Sequence, residues 1–275
     1  MKKLVFLLAL FLVFRPAHSA IYDCFLFFNE LEILKIRLHE LYNYVDKFVL
    51  VESVETFRGD SKPLFFQENK KLFEQYLDKI VHVIVEDTLQ THTAWERETF
   101  QRNQILRGLT TCVAKDLILI SDVDEIIRPL VFDEFNTKLS SIPANSQYKM
   151  VLCKMPMYRY FFNCYDAKDS PWPGSIGIYF SDLQKTTPEI CRTTRTNSPY
   201  IINDAGWHLT YMGGYERVLQ KLASFSHAEY DTPYHRDLKT IEQKIAAMVV
   251  VQIDETFPQL IYDNQEYYKK NNFIK

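Results

Sequence analysis

Two aspartates separated by one residue are the side chains in this sequence best suited to binding a metal ion. Asp122 and Asp124 follow, after Ser121, the continuous apolar run at residues 117–120, which is typical of a strand buried on both faces of a parallel sheet. Side chains alternate along an extended segment, so the two carboxylates point the same way and Val123 turns back into the core. Adjacent carboxylates repel unless a cation lies between them, and hard oxygen ligands suit Mg²⁺ or Mn²⁺. The pattern predicts a divalent-metal and diphosphate site.

Two other interpretations of this motif stay open. A strand followed by Asp-x-Asp-Glu is also found as a polar turn that caps the next helix. A buried strand ending in Asp-x-Asp is also the signature of haloacid-dehalogenase phosphatases, with Asp122 as the nucleophile. Ile126 stands where that signature has Thr or Val, and the motif lies in the middle of the chain instead of on the first strand. These departures weaken the phosphatase alternative without removing it.

The segments around the motif alternate between strands and helices, which predicts parallel βαβ units with right-handed crossovers. Asn29 offers an N-cap to the first helix, and Thr93 and Glu96 have the S/T-x-x-E spacing of a capping box at the helix before the motif. In such sheets ligands bind beyond the carboxyl ends of the strands, where the aspartates lie. Strands are predicted at 21–28, 47–52, 80–85, 149–155 and 158–162, and helices at 31–41, 70–76, 215–222 and 240–251.

Arg97 and Trp172 each have two possible roles, one in ligand binding and one in the structure. Arg97, in the first turn of the helix that starts at Thr93, opposes the helix dipole, a cost that an anionic ligand would offset. Alternatively Glu98 and Arg102 form an exposed i,i+4 pair and Arg97 is solvated. Trp172 lies in a predicted turn at 170–174, where it either stacks on a sugar ring or packs in the core.

The composition is that of an ordinary globular protein. With 275 residues, 47% hydrophobic and 24% charged, one α/β domain is expected. The formal charge of −3 and the lack of a basic run give no electrostatic footprint for nucleic acid. Aromatic residues make up 15% of the chain; such rings commonly line sugar sites, although most of them pack in the core.

The N-terminus has the pattern of a secretory signal, with two lysines, an apolar run at 4–14 and Ala17-His18-Ser19 as a cleavage site. The run is shorter than the ~20 residues of a bilayer span. We expect residues 1–19 to be removed and the domain, residues 20–275, to be exported. If residues 1–19 are not cleaved, they would anchor the domain to a membrane. Export permits disulfides among the five cysteines, and Cys153 with Cys164 is one conceivable bridge. The sequence has no CxxC spacing, so a zinc site is not expected.

Several stretches, in order, resemble glycosyltransferase family 17, the β-1,4-mannosyl-glycoprotein 4-β-N-acetylglucosaminyltransferases that add the bisecting GlcNAc to N-glycans. The resemblance covers nearly all of the chain after the signal segment. The stretches are YDCFLFFNE at 22–30, VES at 51–53 with Thr56, Phe57 and Gly59, QRN at 101–103, SDVDE at 121–125, GWH at 206–208 and SFSHAEYD at 224–231.

The resemblance implies a GT-A-like, Rossmann-like fold, with a mostly parallel sheet, helices on both faces and a C-terminal acceptor-side extension. It also implies inverting transfer from UDP-GlcNAc, with Mn²⁺ or Mg²⁺, to a glycan or glycoprotein acceptor such as the β-mannose of an N-glycan core. Asp122 and Asp124 match the DxD pair that holds the metal on the donor diphosphate. His208 matches a late histidine that completes metal coordination, and is otherwise a structural core residue. A non-catalytic secreted glycan-binding protein is the other alternative.

The resemblance also suggests residues for the donor. Glu52 falls where GT-A enzymes contact the nucleotide, and Arg102 with Asn103 matches an Arg-Asn pair on the helix before the DxD strand. We group Arg97 with these donor-binding candidates.

A carboxylate must take the proton from the attacking hydroxyl. Asp204, just before the GWH stretch, is the leading candidate, followed by Glu229 and Asp231.

Overall fold

A computed structural model describes residues 19–87, 89 and 93–275, so the predicted signal segment lies outside the described residues except for Ser19. Within these ranges none of the helices is long and apolar enough to cross a bilayer. The strands are β1 (Ile21–Phe27), β2 (Lys47–Ser53), β3 (Ile80–Val85), β4 (Leu117–Asp122), β5 (Glu125–Ile127), β6 (Met150–Met155), β7 (Met157–Arg159), β8 (Cys164–Tyr165), β9 (Trp172–Tyr179), β10 (Ile201–Ile202), β11 (Gly206–Thr210) and β12 (Val249–Val250). The α-helices are α1 (Leu31–Leu41), α2 (Phe65–Glu68), α3 (Ala94–Asn103), α4 (Phe132–Ser141), α5 (Phe180–Leu183), α6 (Pro188–Thr194), α7 (Tyr215–Ser224), α8 (Pro233–Arg236), α9 (Leu238–Ala246), α10 (Gln259–Asp263) and α11 (Gln265–Lys270).

The central sheet has seven strands in the order β10-β6-β9-β4-β1-β2-β3. Strands β1 to β4 are mutually parallel where they pair, and β9 runs antiparallel to both of its neighbours. The register sets Leu26 opposite Asp122, so the carboxyl ends of β1 and β4 lie side by side. The prediction of a mostly parallel α/β sheet is confirmed.

Both faces of this sheet are covered because its strands carry apolar side chains on both sides. One face packs Phe25 and Leu50 against α1, α4, α10 and α11. The other packs Cys24 and Ile120 against a 3₁₀ helix, Gln104–Gly108, together with α5 and α6. Helices therefore lie on both faces of the sheet, as the resemblance implied.

A second sheet brings the later part of the chain against the aspartate motif. Its five strands lie in the order β12-β8-β7-β11-β5. Strand β5 starts directly after Asp124 and pairs antiparallel with β11, which sets His208 opposite Glu125. Helices α7 to α9 lie in the chain between β11 and β12 of this sheet, in the part for which a C-terminal acceptor-side extension was predicted.

Of the two predicted helix N-caps, one is confirmed and one is wrong. The capping box is present at α3: the Thr93 side chain accepts from the Glu96 backbone N–H, and the Glu96 carboxylate accepts in return. Asn29 does not cap α1; the N-cap is Glu30, whose carboxylate instead accepts from backbone N–H groups just before the helix.

Two segments differ from prediction because tertiary pairing decides them. Trp172 starts β9 by pairing with Met155, where a turn had been predicted. The last predicted helix stops at Ala246, because residues 249–250 form β12 against β8. All five cysteines lie within the described residues and are unpaired, so the Cys153–Cys164 bridge is not formed.

Candidate functional site

A cavity of about 810 Å³ opens where the central sheet meets the C-terminal region. This volume is within the range of about 300–1,000 Å³ that is usual for small-molecule sites. Both motif aspartates line it, as do Phe27 at the end of β1, His208 on β11 and Lys221 on α7. The site therefore lies at the carboxyl end of the parallel strands, as predicted for this fold class.

Asp122 is held between two guanidinium groups. Arg102 Nη1 donates to its Oδ1 at 2.7 Å, and Arg192 Nη2 donates to its Oδ2 at 2.7 Å. Burial alone would raise the pKa of Asp122, but the charges of Arg192 and Arg102 lower that pKa far below its usual range. Arg102 in turn bonds to Glu98 and, at 2.7 Å, to Glu189. Asp122 is thus an ionised carboxylate with both oxygens engaged.

Asp124 has different partners. Lys221 Nζ donates to its Oδ2 at 2.7 Å and to Thr210 Oγ1 at 3.1 Å. His208 Nε2 lies 3.5 Å from the other oxygen, Oδ1. Burial would raise the pKa of Asp124, but Lys221 and His208 lower it well below the usual value. Asp124 is therefore also ionised, with Oδ1 less firmly engaged than Oδ2.

A divalent ion fits between Asp124 and His208. Two neighbouring ligands of an octahedral ion, each about 2.1 Å from it, lie about 3.0 Å apart, close to the observed separation of 3.5 Å. His208 Nδ1 is buried without a hydrogen-bond partner, so the described residues do not fix this ring by a second bond. Across the described part of the chain no cluster of three or more His, Cys, Asp or Glu side chains could hold a metal. Asp122 was also predicted to bind the metal, but both of its oxygens are bonded to guanidinium groups, so we correct that assignment. Asp124 and His208 are left as the two protein ligands, with positions for phosphate and water.

Arg192 links the motif to the second sheet. Its guanidinium donates to both carboxylate oxygens of the fully buried Glu125, at 2.5 and 2.7 Å, and to the carbonyl of Gly174 at 2.8 Å. Trp172 Nε1 donates to the same carboxylate at 2.7 Å, and its ring lies 4.9 Å from that of His208. Trp172 thus lines the cavity while packing against the motif. Sequence reasoning missed Arg192, since no local pattern marks it.

Arg195 is a cation without a carboxylate partner among the described residues. Its Nε donates to the carbonyl of Pro173 at 2.6 Å and its Nη1 to the carbonyl of Arg192. Burial and the neighbouring charge of Arg192 lower the pKa of Arg195 to about 10. Because Arg195 lines the cavity, it offers an uncompensated positive charge to an anionic ligand.

Of the five residues predicted to bind the donor, Arg102 and Asp122 line the cavity and the other three do not. Glu52 is fully buried and accepts from the backbone N–H of Phe66 at 2.8 Å, so we correct its assignment to a structural residue of β2. Asn103 Oδ1 accepts from the backbone N–H of Glu189 at 3.1 Å, and thus positions α6. Arg97 lies 3.9 Å from Glu55.

None of the three predicted bases lines the cavity. Asp204 has a side chain 72% exposed and lies 3.1 Å from Arg128, so its position does not fit a base that acts in the cavity. Asp231 pairs with Arg58 at 2.7 Å and with Arg236, which makes it an anchor for its loop.

Glu229 is 58% exposed and contacts the cavity through another side chain, His227, whose Nδ1 is 2.6 Å from its Oε1. His227 itself lines the cavity. Sequence reasoning missed this histidine as a site residue, although the SFSHAEYD stretch contains it.

Two curated relatives match part of the chain. Each is named β-1,4-mannosyl-glycoprotein 4-β-N-acetylglucosaminyltransferase, one from Homo sapiens and one from Rattus norvegicus, and each is 29% identical over 106 residues. The match covers 36% of this chain and spans about a fifth (20%) of the length of each relative.

Two solved structures match this chain at low similarity. A mannosyltransferase from Pyrobaculum calidifontis, solved with GDP-Man and Mn²⁺, has a TM-score of 0.42 and 11% identity, covering 94% of this chain and 72% of its own. A 4-diphosphocytidyl-2C-methyl-D-erythritol synthase has a TM-score of 0.39 and 14% identity, covering 69% of this chain and 90% of its own. At these scores neither likeness bears on function.

The family relationship extends over most of the sequence. Residues 12–263 match the model of glycosyltransferase family 17, a range that includes the aspartate motif, the GWH stretch and the SFSHAEYD stretch. The chain therefore belongs to glycosyltransferase family 17.

Proposed function

We propose that this protein transfers N-acetylglucosamine from UDP-GlcNAc to a glycan hydroxyl, with inversion at the anomeric carbon. A β-mannose in the core of an N-glycan is the proposed acceptor. Family membership and the partial match to the mammalian N-acetylglucosaminyltransferases support this choice of donor and acceptor. The observation that carries the proposal is the pair of carboxylates, Asp122 and Asp124, which lines the cavity with each member bonded to cationic side chains.

In this proposal different side chains bind the metal ion and the diphosphate of the donor. Asp124 and His208 would hold a divalent ion, Mn²⁺ or Mg²⁺, and that ion would offset charge on the departing UDP. Arg195 and Lys221 line the same cavity and face the diphosphate with positive charge. Asp122 keeps the guanidinium groups of Arg102 and Arg192 in place.

The phosphatase alternative does not suit this geometry. A phospho-aspartate mechanism requires a carboxylate oxygen free to attack phosphorus. Both oxygens of Asp122 accept hydrogen bonds from guanidinium groups, so attack would first have to break an ion pair. A non-catalytic glycan-binding protein would not need the paired acids and the unpaired Arg195 in one cavity, because a neutral glycan carries no charge to bind.

Calorimetric titration with UDP, with and without Mn²⁺, tests the donor site. We expect Mn²⁺ to increase UDP affinity, and Asp124→Asn and His208→Ala each to abolish that increase. Asp204→Asn is the control, because Asp204 is exposed outside the cavity and should leave the increase unchanged. Incubation with UDP-GlcNAc and the trisaccharide Manβ1-4GlcNAcβ1-4GlcNAc then tests transfer by mass spectrometry. Release of phosphate from p-nitrophenyl phosphate, without UDP binding, would contradict the proposal.

A further inference from the structure

A histidine–carboxylate pair lies at the mouth of the cavity. His227 Nδ1 is 2.6 Å from Glu229 Oε1. An ionised carboxylate can only accept, so Nδ1 donates, and in the uncharged form of the ring the lone pair is then on Nε2. Within the described ranges no side chain or backbone group bonds to that Nε2, and His227 lines the cavity. The pair thus presents a free basic nitrogen to the same space as the aspartates.

Three aromatic rings surround this histidine and line the cavity with it. The ring of Trp95 meets that of His227 edge-on, with centroids 4.6 Å apart. Tyr230 and Phe225 lie 5.6 and 5.7 Å from the same ring. We name Trp95, Phe225, His227 and Tyr230 the aromatic rim. Exposed aromatic faces with polar tips suit the apolar face of a sugar ring, so an acceptor sugar can lie directly beside Nε2.

Hydrogen bonds fix the rim relative to the aspartate motif. Ser226, next to His227, donates from its hydroxyl to Glu98. The other oxygen of Glu98 accepts from Arg102, which bonds to Asp122 at 2.7 Å. Three consecutive contacts therefore connect the loop that carries His227 with the proposed donor site.

We propose that His227 is the general base of the transfer reaction and that Glu229 is its positioning residue. This inference rests on the proposed function. The acceptor oxygen forms a bond to the anomeric carbon as the bond from that carbon to the UDP oxygen breaks and its electron pair leaves with UDP. The acceptor proton moves to Nε2 of His227. The resulting imidazolium is stabilised by Glu229 and then releases its proton to solvent.

The bond between the two residues suits these roles. The hydrogen bond from His227 lowers the pKa of Glu229 below its usual value, so Glu229 stays ionised and can stabilise a charged imidazole ring. Because His227 is 46% exposed, its proton can leave to water between turnovers.

Most carboxylates that line the cavity already form ion pairs with arginine side chains. Glu98 and Glu189 bond to Arg102, and Asp169 bonds to Arg159 at 2.7 Å. Each would have to give up an ion pair to take a proton.

Glu55 is the rival. Its carboxylate has no hydrogen-bond partner in the described part of the chain and lies 3.9 Å from Arg97. Glu55→Gln therefore belongs in the test beside the variants of the histidine pair.

The test measures UDP release from UDP-GlcNAc with Manβ1-4GlcNAcβ1-4GlcNAc as acceptor, together with UDP affinity by calorimetry. We expect His227→Ala to lower kcat by about 10²–10⁴-fold, the usual contribution of a general base, with UDP affinity unchanged. Imidazole added to the buffer should restore part of the rate. Glu229→Gln should lower kcat less, without changing KM. His39→Ala, an exposed histidine on α1, is the control and should match wild type.

Other results would overturn either the assignment of His227 as the base or the proposed function. If wild type transfers the sugar and His227→Ala keeps its kcat, the base assignment is wrong and the proposed function stands. A loss of kcat in Glu55→Gln but not in His227→Ala would move the base to Glu55. A loss in His227→Ala that imidazole does not restore, with Glu229→Gln at the wild-type rate, would show a structural role. Wild type that neither binds UDP nor releases it would overturn the proposed function, and this inference with it.

Discussion

Lys221 Nζ lies 2.7 Å from Asp124 Oδ2, so helix α7 brings an ammonium group to the strand end that carries the aspartate motif. Asp122, two residues earlier, is bonded instead to Arg102 and Arg192. The two carboxylates therefore have separate cationic partners, one set from the helices beside the central sheet and one from the C-terminal region. Their mutual repulsion, which the sequence implied would need a cation, is offset by the protein's own side chains.

Lys221→Met should destabilise the fold, because Asp124 Oδ2 would lose its donor in a largely buried position. The expected cost is about 1–3 kcal/mol, the penalty for a buried polar group without a partner. The free energy of unfolding from urea titration measures it. Lys185→Met is the matched control: Lys185 pairs with Asp182 at 2.8 Å but is 72% exposed, and exposed pairs contribute about 0–1 kcal/mol. Equal losses in the two variants would show that the Lys221 contact contributes nothing beyond a surface pair.

Arg192→Met should cost more, because it leaves the fully buried carboxylate of Glu125 without its guanidinium partner. Removing one partner of a buried ion pair costs about 3–5 kcal/mol. Denaturation in guanidinium chloride measures the change. Lys138→Met removes the exposed i,i+4 pair with Glu134 and should change stability by no more than about 0.5 kcal/mol. An Arg192→Met protein as stable as wild type would contradict the structural role given to Arg192.

The sequence predicted the features that depend on neighbouring residues. The apolar run of β4 and the two aspartates near its end form one local pattern. Val123 is buried as predicted, but it lies with Asp124 in the turn after β4 instead of in an extended strand. The capping box at Thr93 needs only a spacing of three residues. The parallel sheet followed from the alternation of strands and helices.

The partners of the motif could not be predicted in the same way. Arg192 and Lys221 bond to the aspartates across 70 and 97 residues of sequence, and such contacts depend on how the two sheets pack. Glu52 illustrates the opposite error. It does lie near the carboxyl end of β2, but its carboxylate turns inward to accept backbone N–H groups at the start of α2. A position at a strand end therefore did not reveal which face the side chain occupies.

Arg195→Gln should weaken UDP binding selectively. If Arg195 donates to the diphosphate, its loss removes a hydrogen bond to a charged group, worth about 1.5–3 kcal/mol, or roughly 10–150-fold in Kd. Uridine lacks the phosphates, so its affinity should not change. Calorimetry with both ligands makes the comparison. Arg217→Gln, an exposed arginine that lies outside the main cavity, is the control. An equal loss for UDP and uridine would indicate a general disturbance of the site instead of a phosphate contact.

Trp95→Ala and Tyr230→Ala should each raise the KM for the glycan acceptor while UDP affinity stays constant. One aromatic contact is worth about 0.5–1.5 kcal/mol, so we expect increases of roughly 2–12-fold. Initial rates at saturating UDP-GlcNAc, over a series of acceptor concentrations, measure this effect. Tyr262→Ala on α10 is the matched control, since Tyr262 is also exposed but does not line the cavity. A rise in donor Kd with unchanged acceptor KM would place the rim on the donor side.

Glu55→Gln should stabilise the protein at neutral pH and not at acidic pH. Burial raises the pKa of Glu55, and the charge of Arg97 only partly offsets it. Because the folded pKa lies above the unfolded one, the folded state keeps a proton that the unfolded state releases, and stability falls as pH rises through that interval. The penalty is absent below the ordinary glutamate pKa of about 4.3 and fully present above the raised value.

Thermal unfolding followed by circular dichroism at about pH 4 and pH 7, on either side of that interval, gives the comparison. The Tm of Glu55→Gln should exceed that of wild type at the higher pH and equal it at the lower. Glu266→Gln is the control, because Glu266 is 89% exposed and should give the same small difference at both values. An equal gain in Tm at both pH values would mean that the substitution acts through side-chain shape or packing and not through the charge of Glu55.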